Sequence, residues 1–458
     1  MEDTIAAIAT IVGNSAINII KISGNKSIEI VEKLFKSKSQ KKISELKTYS
    51  MIYGNIYDEN DLVVDEVLVS VMKSPYSYTR EDVVEINCHG GIAAVNKILD
   101  LVINSGARLA EPGEFTKRAF LNGRIDLTQV EAIADLIYAK TEASLKIAAN
   151  NLKGTLSKEI KKIREELLDL IIDIEASIDF TEEDIEIISY NEMLEKSKNI
   201  SKKLIELIKN EEKGEIVKNG IKIAIVGKPN VGKSSLLNSL IKKDKAIVTH
   251  IPGTTRDTVE EILYMDGIPV IVTDTAGIRK SKNLIEKIGV DKSINEIQKS
   301  DIIIIVIDNS RELTNEDIEI INKAKEKKHI LCINKIDKKS KMERNDLKKF
   351  VNEKYIIEVS ALKNIGIEKL EEKIKELTIG SERFDFEEKI IVNKRQKIYI
   401  QKAKNSIDNA ISAIKSKLSQ EFPAFDLRNA YNLLGEIIGE NINEDILKGI
   451  FSKFCVGK

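Results

Sequence analysis

The stretch "IKIAIVGKPNVGKSS", residues 221–235, decides the fold. Its apolar first part predicts a buried strand, and the loop that follows is rich in glycine, lysine and serine. Gly227 and Gly232 let successive backbone N–H groups turn toward an anion, Lys233 reaches the β and γ phosphates, and Ser234 offers a hydroxyl to Mg²⁺. The pattern is typical of a phosphate-binding loop (P-loop) between a strand and a helix. Its predicted nucleotide contacts are Asn230, Val231, Gly232, Lys233, Ser234 and Ser235.

Three later motifs predict which nucleotide binds. "DTAG" (274–277) ends an apolar strand, where its carboxylate can hold the Mg²⁺ water shell. In "NKID" (334–337), Asp337 can accept two hydrogen bonds from guanine that adenine cannot donate, so GTP is favoured over ATP. "SAL" (360–362) can present backbone N–H groups to the guanine oxygen, and the four motifs together resemble GTPases of translation and ribosome-associated factors. The predicted contacts are Asp274, Thr275, Ala276, Gly277, Asn334, Lys335, Asp337, Ser360, Ala361 and Leu362.

The loop "IPGTTRD" (251–257) is expected to carry a switch threonine, and Thr255 is the predicted Mg²⁺ ligand. Ile278 follows "DTAG" where many GTPases have a water-orienting glutamine, so Glu286 is predicted to take that role. An ordinary polar loop and a solvated surface glutamate are the alternative interpretations. Asn230 and carbonyl groups of "VTHIPGT" are predicted to bind a monovalent cation such as K⁺ where other GTPases receive an arginine finger. The predicted nucleotide contacts here are Thr249, His250, Ile251, Pro252, Gly253, Thr254 and Thr255.

Length and composition describe an ordinary globular chain. Its 458 residues suggest two to four domains, and it is 42% hydrophobic and 32% charged. No apolar run is long enough to cross a bilayer and the N-terminus is acidic, so a cytoplasmic location without membrane contact is expected. Three cysteines without CxxC spacing indicate neither disulfides nor zinc. A net charge of -1 implies that any RNA contact uses a local patch.

Changes in sequence pattern along the chain predict four segments. Residues 1–120 mix short strands with helices, as in an α+β domain, and residues 121–215 show the spacing of long amphipathic helices, interrupted at Gly154. Residues 216–378 predict a GTPase domain with a doubly wound, mainly parallel sheet. Residues 379–458 are helical again, so the GTPase domain is predicted to be inserted into a helical domain.

Three segments outside the GTPase motifs carry a resemblance to a known family. "SPYSYTREDVVEINCHGG" (74–91), "EPGEFTKRAFLNGRIDLTQVEAIADLI" (111–137) and the terminal "FCVGK" resemble the MnmE (TrmE) family of tRNA uridine-modifying GTPases, over essentially the whole chain. The resemblance implies a homodimer joined through a folate-binding-like N-terminal domain, and K⁺-stimulated dimerisation of the GTPase domains. It also implies a hetero-oligomer with a flavin-dependent MnmG-type partner that adds a carboxymethylaminomethyl (aminomethyl-type) group to carbon 5 of the wobble uridine of certain tRNAs.

Site residues are carried over from the family by motif. The resemblance assigns K⁺ to Asn230, Thr249, Ile251 and Thr254, Mg²⁺ to Ser234 and Thr255, and catalysis to Glu286. It assigns 5-formyltetrahydrofolate, or a related tetrahydrofolate, to Lys21, Glu85, Arg124 and Lys458. Many family members have arginine at the first of these positions and lysine at the third, and a solvated surface charge is the alternative interpretation of each cation.

The terminal "CVGK" raises a separate question. Its glycine and final lysine do not fit a prenylation motif, so no lipid anchor is expected. The apolar spacing of "EDILKGIFSKF" predicts that the last helix docks and orders the tail. By the resemblance, Cys455 is a candidate participant in the modification chemistry.

Two other functions fit part of the sequence. A GTPase switch for ribosome assembly would use the same nucleotide motifs, but no KH-type GxxG loop follows them. A folate-binding scaffold with a degenerate GTPase domain is disfavoured because Lys233, Asp274 and Asp337 are intact.

Overall fold

The computed structural model describes residues 3–13, 15–179, 188–209, 211–243, 261–265, 268–273, 297–379, 390–440 and 442–458. The chain divides into two units. The first comprises residues 1–137, 151–203 and 399–458, and the second comprises residues 138–150 and 204–398. Each unit contains its own β-sheet and its own apolar core.

The strands within the described ranges are β1 Ile5–Ile8, β2 Ser15–Ser23, β3 Phe35–Ser37, β4 Ser50–Tyr57, β5 Val63–Met72, β6 Val83–Gly90, β7 Arg108–Leu109, β8 Ile221–Val226, β9 Glu261–Met265, β10 Ile268–Thr273, β11 Ile302–Asp308, β12 Lys328–Asn334 and β13 Ile356–Glu358. Short 3₁₀ turns cover Ile43–Glu45 and Glu353–Tyr355.

The α-helices of the described residues are α1 Ser27–Leu34, α2 Ile92–Asn104, α3 Glu114–Leu121, α4 Leu127–Tyr138, α5 Glu142–Leu152, α6 Thr155–Asp179, α7 Tyr190–Ile208, α8 Glu211–Asn219, α9 Lys233–Lys243, α10 Asn315–Ala324, α11 Arg344–Lys348, α12 Ile367–Ile379, α13 Lys394–Lys415, α14 Glu421–Ile438 and α15 Glu444–Phe451. None of them combines the length and the apolar character that spanning a membrane requires.

The first unit is built on a seven-stranded sheet in the order β3-β4-β5-β6-β2-β1-β7. Neighbouring strands are antiparallel except for β1 and β7, which are parallel. Along β5, Val67, Val69 and Val71 are buried while the residues between them are partly or fully exposed. This period of two places one face of the sheet against α1 and α2, and leaves the other face more open.

Helices complete the first unit. α6 buries an apolar stripe with the spacing of three and four that defines an amphipathic helix, and it packs against α14. Gly154 precedes α6 with φ of 78°, a left-handed conformation that favours glycine, so the predicted interruption at this residue is confirmed. The buried stripe of α6 includes Ile160, Ile163, Leu167, Leu170, Ile171 and Ile174.

The second unit contains a six-stranded sheet in the order β13-β12-β11-β8-β10-β9. All neighbouring strands are parallel except β9 and β10. Every residue of β11 is buried, because separate apolar clusters cover the two faces of the sheet. The predicted fold class, with a mainly parallel sheet in the GTPase region and helices and mixed strands elsewhere, is confirmed.

The parallel topology also positions a site. The loops after β8, β11 and β12 leave the same edge of the sheet, because the carboxyl ends of parallel strands point in one direction. These loops carry the predicted P-loop and the "NKID" motif, and "SAL" follows β13 on the same side.

Candidate functional site

The loop between β8 and α9 has the geometry of an anion cradle. Gly227, Asn230 and Gly232 have φ of 147°, 64° and 101°, so the backbone turns repeatedly within six residues. A side chain at Gly227 would place its Cβ 2.3 Å from the carbonyl oxygen of Val306, which explains the need for glycine. Nζ of Lys233 donates to the carbonyl oxygen of Gly227 at 2.6 Å, so the ammonium lies against the loop that would hold the phosphates.

Asn334, the last residue of β12, connects the P-loop to the "SAL" loop. Its Nδ2 donates to the carbonyl oxygen of Val231 at 2.9 Å, and its Oδ1 accepts from the backbone N–H of Ala361 at 3.1 Å. The Oγ of Ser239 donates to the carbonyl oxygen of Ala361 at 2.7 Å. Three motifs that are far apart in sequence therefore form one hydrogen-bonded cluster.

Asp337, the predicted guanine-recognition residue, is partly exposed beside this cluster. Oγ of Ser360 donates to its Oδ1 at 2.6 Å, and this hydrogen bond lowers the pKa of the carboxyl below its ordinary value. The carboxylate is therefore ionised at neutral pH, the form that accepts hydrogen bonds from a guanine. Leu362 is 84% exposed, so this side of the cluster is open to solvent.

Two anchors of the P-loop were missed by sequence reasoning. Nζ of Lys228 donates to Oγ1 of Thr314 at 2.7 Å and lies 3.3 Å from a carboxylate oxygen of Asp317, at the first turn of α10. Asp308 contacts Lys335 of "NKID". The available signal was an acidic residue at the end of the apolar run "DIIIIVID", where a parallel sheet places its site residues.

Most of the remaining predicted residues of the nucleotide site lie outside the described residues, so their roles stay predictions. Ser234 and Ser235 are described, and both are exposed at the start of α9. The residues outside the described ranges are Thr249, His250, Ile251, Pro252, Gly253, Thr254, Thr255, Asp274, Thr275, Ala276, Gly277 and Glu286.

A second cluster of predicted site residues lies in the first unit. Lys21 on β2 is directly opposite Glu85 on β6, and the ammonium lies 3.6 Å from the carboxylate. The Lys21 ammonium is also 5.4 Å from the ring centre of Tyr78, and the guanidinium of Arg124 is 4.7 Å from the same ring. Tyr78, which sequence reasoning did not select, therefore connects two of the predicted folate contacts, although it lies in a segment that carries the family resemblance.

The electrostatics of this second cluster suit an anion. Burial lowers the pKa of Lys21; Glu85 opposes this shift, and the nearby positive charge of Lys458 lowers the pKa further. Lys458 therefore lies close enough to Lys21 to repel it, although the two are at opposite ends of the chain. Lys21 and Arg124 both lie against the Tyr78 ring, and Lys458 lies near Lys21, so three positive charges are grouped here and an anionic ligand would reduce their repulsion.

The C-terminal tail is ordered beside this cluster, as predicted. Phe451 and Phe454 are buried in an apolar cluster that includes Leu127. Gly457 has φ of 95°, and a Cβ there would lie 2.7 Å from the carbonyl oxygen of Ile8, so the tail runs closely along the end of β1. Cys455 is exposed on this tail, whereas Cys88 and Cys332 are buried.

The parallel sheet, the P-loop between β8 and α9, and the guanine-recognition motif linked to it define a P-loop protein of the GTPase class. Comparison with known proteins is more specific. The model of the MnmE helical domain matches residues 127–455, and the model described as GTP-binding protein TrmE N-terminus matches residues 4–124. The chain therefore belongs to the MnmE family.

Relatives of this family match from end to end. A protein named tRNA modification GTPase MnmE from Alkaliphilus oremlandii (strain OhILAs) is 47% identical over 459 residues, with both chains fully covered. Its namesake from Clostridioides difficile (strain 630) is 46% identical over 458 residues, also with full coverage of both chains. That from Thermoanaerobacter pseudethanolicus (strain ATCC 33223 / 39E) is 48% identical over 457 residues, covering 100% of this chain and 99% of the relative.

Proposed function

We propose that this chain hydrolyses GTP and, with a flavin-dependent MnmG-type partner, adds a carboxymethylaminomethyl-type group to carbon 5 of the wobble uridine of certain tRNAs. The observation that carries the choice of GTP is the ionised carboxylate of Asp337, held by Ser360 beside the P-loop cluster. The tRNA part rests on the family, whose members are named tRNA modification GTPases. The proposed location is the cytoplasm, as expected from the sequence.

The proposed hydrolysis uses charge and orientation. The ammonium of Lys233 can move from the Gly227 carbonyl onto the β and γ phosphate oxygens, where charge grows in the transition state. The exposed hydroxyl of Ser234 fits Mg²⁺, with Thr255 as the second proposed ligand. When bound, Mg²⁺ would neutralise part of the negative charge of the phosphates. Glu286 is proposed to orient the attacking water, because Ile278 has no group that can do so.

We further propose a K⁺ site formed by Asn230, Thr249, Ile251 and Thr254. The side chain of Asn230 is exposed on the P-loop, so it can contact an ion. Its backbone carbonyl oxygen, by contrast, accepts a hydrogen bond from Nζ of Lys335. A bound K⁺ would supply the positive charge that an arginine finger supplies in other GTPases.

Hydrolysis is therefore expected to be faster in K⁺ than in Na⁺, by about tenfold or more. Asn230→Ala should remove most of that difference, and Glu286→Ala should lower the rate strongly in both salts. The measurement is phosphate release by the purified full-length chain in matched chloride salts. Equal rates of the wild type in the two salts would contradict the cation assignment.

The cluster around Tyr78 is proposed to bind a tetrahydrofolate such as 5-formyltetrahydrofolate, which carries a one-carbon unit. The three cations Lys21, Arg124 and Lys458 fit the carboxylates of this ligand, and the half-buried aromatic ring offers a surface for a flat heterocycle. Glu85 can accept hydrogen bonds from ring N–H groups of the ligand. We propose that Cys455, exposed on the neighbouring tail, takes part in the modification chemistry.

Arg124→Ala and Lys21→Ala are each expected to weaken 5-formyltetrahydrofolate binding about tenfold, because each removes a charged partner of a carboxylate. GTP hydrolysis should stay within about twofold of wild type. Lys36→Ala is a matched control, because Lys36 is also paired with an acid, Asp61, and lies 4.3 Å from the ring centre of Tyr57. Titration calorimetry gives the affinities. If the Lys36 variant lost affinity while the Arg124 and Lys21 variants did not, the assignment would be contradicted.

We also propose that the chain is divided into four segments, residues 1–120, 121–215, 216–378 and 379–458. The first of these, the N-terminal domain, is proposed to form a homodimer. The open face of the seven-stranded sheet supports it, because Met51, Tyr53 and Leu68 are 59%, 47% and 42% exposed there. Tyr53 and Leu68 are directly opposite each other on β4 and β5. Apolar side chains grouped on an exposed sheet face are typical of a protein interface.

A further inference from the structure

We propose that Asp308 is a positioning residue that acts through Lys335 to hold the P-loop in its nucleotide-binding form. The inference rests on the proposed binding of GTP and deepens it, because it adds a residue from outside the four nucleotide motifs. It concerns affinity for the nucleotide rather than the chemical step.

Asp308 is placed by the sheet. It is the last residue of β11 and is in parallel register with Asn334, the last residue of β12. It is 5% exposed, and its Oδ2 accepts from Nζ of Lys335 at 2.6 Å. Its Oδ1 accepts from the backbone N–H of Ser310 at 3.0 Å and from the Ser310 hydroxyl at 2.7 Å. One carboxylate therefore holds both its own turn and the lysine of the next loop.

Lys335 bridges this carboxylate to the P-loop. Its Nζ also donates to the carbonyl oxygen of Asn230 at 2.7 Å. Lys335 and Asn230 both have positive φ, at 66° and 64°, a backbone conformation that residues other than glycine seldom adopt. The two contacts of the ammonium hold this backbone arrangement in place.

The consequence for the nucleotide follows from the planarity of the peptide bond. In a trans peptide, the carbonyl of one residue and the N–H of the next point in opposite directions. Lys335 holds the carbonyl of Asn230, so the N–H of Val231 must point the other way. Asn334 holds the carbonyl of Val231 in the same manner and directs the N–H of Gly232. Both N–H groups are thus fixed by residues of "NKID", and Asp308 anchors the first of these contacts.

The charge state of Asp308 agrees with this role. Burial alone would raise the pKa of its carboxyl, but hydrogen bonds from Lys335 and Ser310 outweigh burial and hold the pKa below its usual value. The group is therefore ionised at neutral pH and attracts the ammonium as an ion pair.

Asp308→Asn separates the two tasks of this side chain. The amide oxygen can still accept from Ser310, while the charge that holds Lys335 is lost. We expect the Kd for GTP and for GDP, measured with fluorescent analogues on the full-length chain, to rise about tenfold. kcat at saturating GTP should remain within about twofold, because no group at the reacting phosphate has changed. Asp308→Glu, which keeps the charge, should recover most of the affinity.

Two controls distinguish a positioning role from a structural one. Asp301→Asn changes an acid just before the same strand, where it accepts from the backbone N–H of Lys222, and should leave the Kd unchanged. In a Lys335→Ala background, Asp308→Asn should raise the Kd by no more than about twofold, because the residue through which it acts is gone.

The possible results distinguish a failure of the proposed role of Asp308 from a failure of the proposed GTPase function. A wild-type chain that binds no guanine nucleotide would overturn the proposed function itself. Wild-type binding with an unchanged Kd in Asp308→Asn would overturn the inference, and so would a full tenfold loss that persists in the Lys335→Ala background. Ser310→Ala, which leaves the ion pair intact, should bind like wild type; a loss equal to that of Asp308→Asn would also refute the role of Lys335.

Discussion

Asp337→Asn is expected to change the preferred nucleotide from GTP to XTP. The Asp337 carboxylate can accept hydrogen bonds from N1–H and the exocyclic amine of guanine, and Ser360 holds it in its ionised form. An asparagine amide presents an N–H to the guanine amine, so two donors face each other and one bond is lost. Xanthine has a carbonyl group in place of that amine and can accept from the new amide.

The expected loss of GTP affinity is about 100-fold or more, because a polar pocket rejects a ligand that leaves its groups unpaired. Competition between GTP and XTP for a fluorescent analogue measures the change. Glu353→Gln is the matched control, since Glu353 is an acid of the same unit that pairs with Lys348 and is not part of any nucleotide motif. Unchanged GTP affinity in Asp337→Asn would show that the base is recognised elsewhere.

Lys233→Ala is expected to reduce GTP hydrolysis by about 100- to 1,000-fold. Its ammonium lies against the carbonyl oxygens of Gly227 and Lys228, at 2.6 Å and 2.8 Å, inside the loop that surrounds the phosphates. Lys228, the other charged side chain of the P-loop, is held by Thr314 and Asp317, so the growing charge on the γ-phosphate would lose its lysine partner. Phosphate release at saturating GTP is the measurement.

Lys222→Ala provides the control for this variant. Lys222 lies near the start of β8, the strand that leads into the same loop, and its side chain is exposed. It should hydrolyse GTP at the wild-type rate. A Lys233→Ala enzyme that retains more than about a tenth of wild-type activity would contradict the assigned role of the ammonium.

The sequence predicted the local features of the nucleotide site well. The apolar runs ending at Val226 and Asn334 are strands, and their following loops meet at one edge of the sheet. This succeeds because a buried parallel strand and a glycine-rich turn each leave a signature within a few residues.

The contacts between distant segments could not be predicted in the same way. Asp308 and Lys335 are 27 positions apart, and their contact depends on the register of β11 and β12. Tyr78 lies beside Lys21 only because of tertiary packing around the antiparallel pair β2 and β6. Spacing in one sequence does not specify such registers, because they are set by the packing of the whole sheet.

The most direct test of the central claim is the nucleoside composition of tRNA from cells in which the gene has been deleted and then replaced. We expect the deletion to lack the C5-modified wobble uridine, the wild-type gene to restore it, and the Lys233→Ala gene to leave it absent although the protein is made. Unchanged wobble uridines in the deletion strain, together with altered ribosomal subunit profiles, would contradict tRNA modification and favour a GTPase of ribosome assembly.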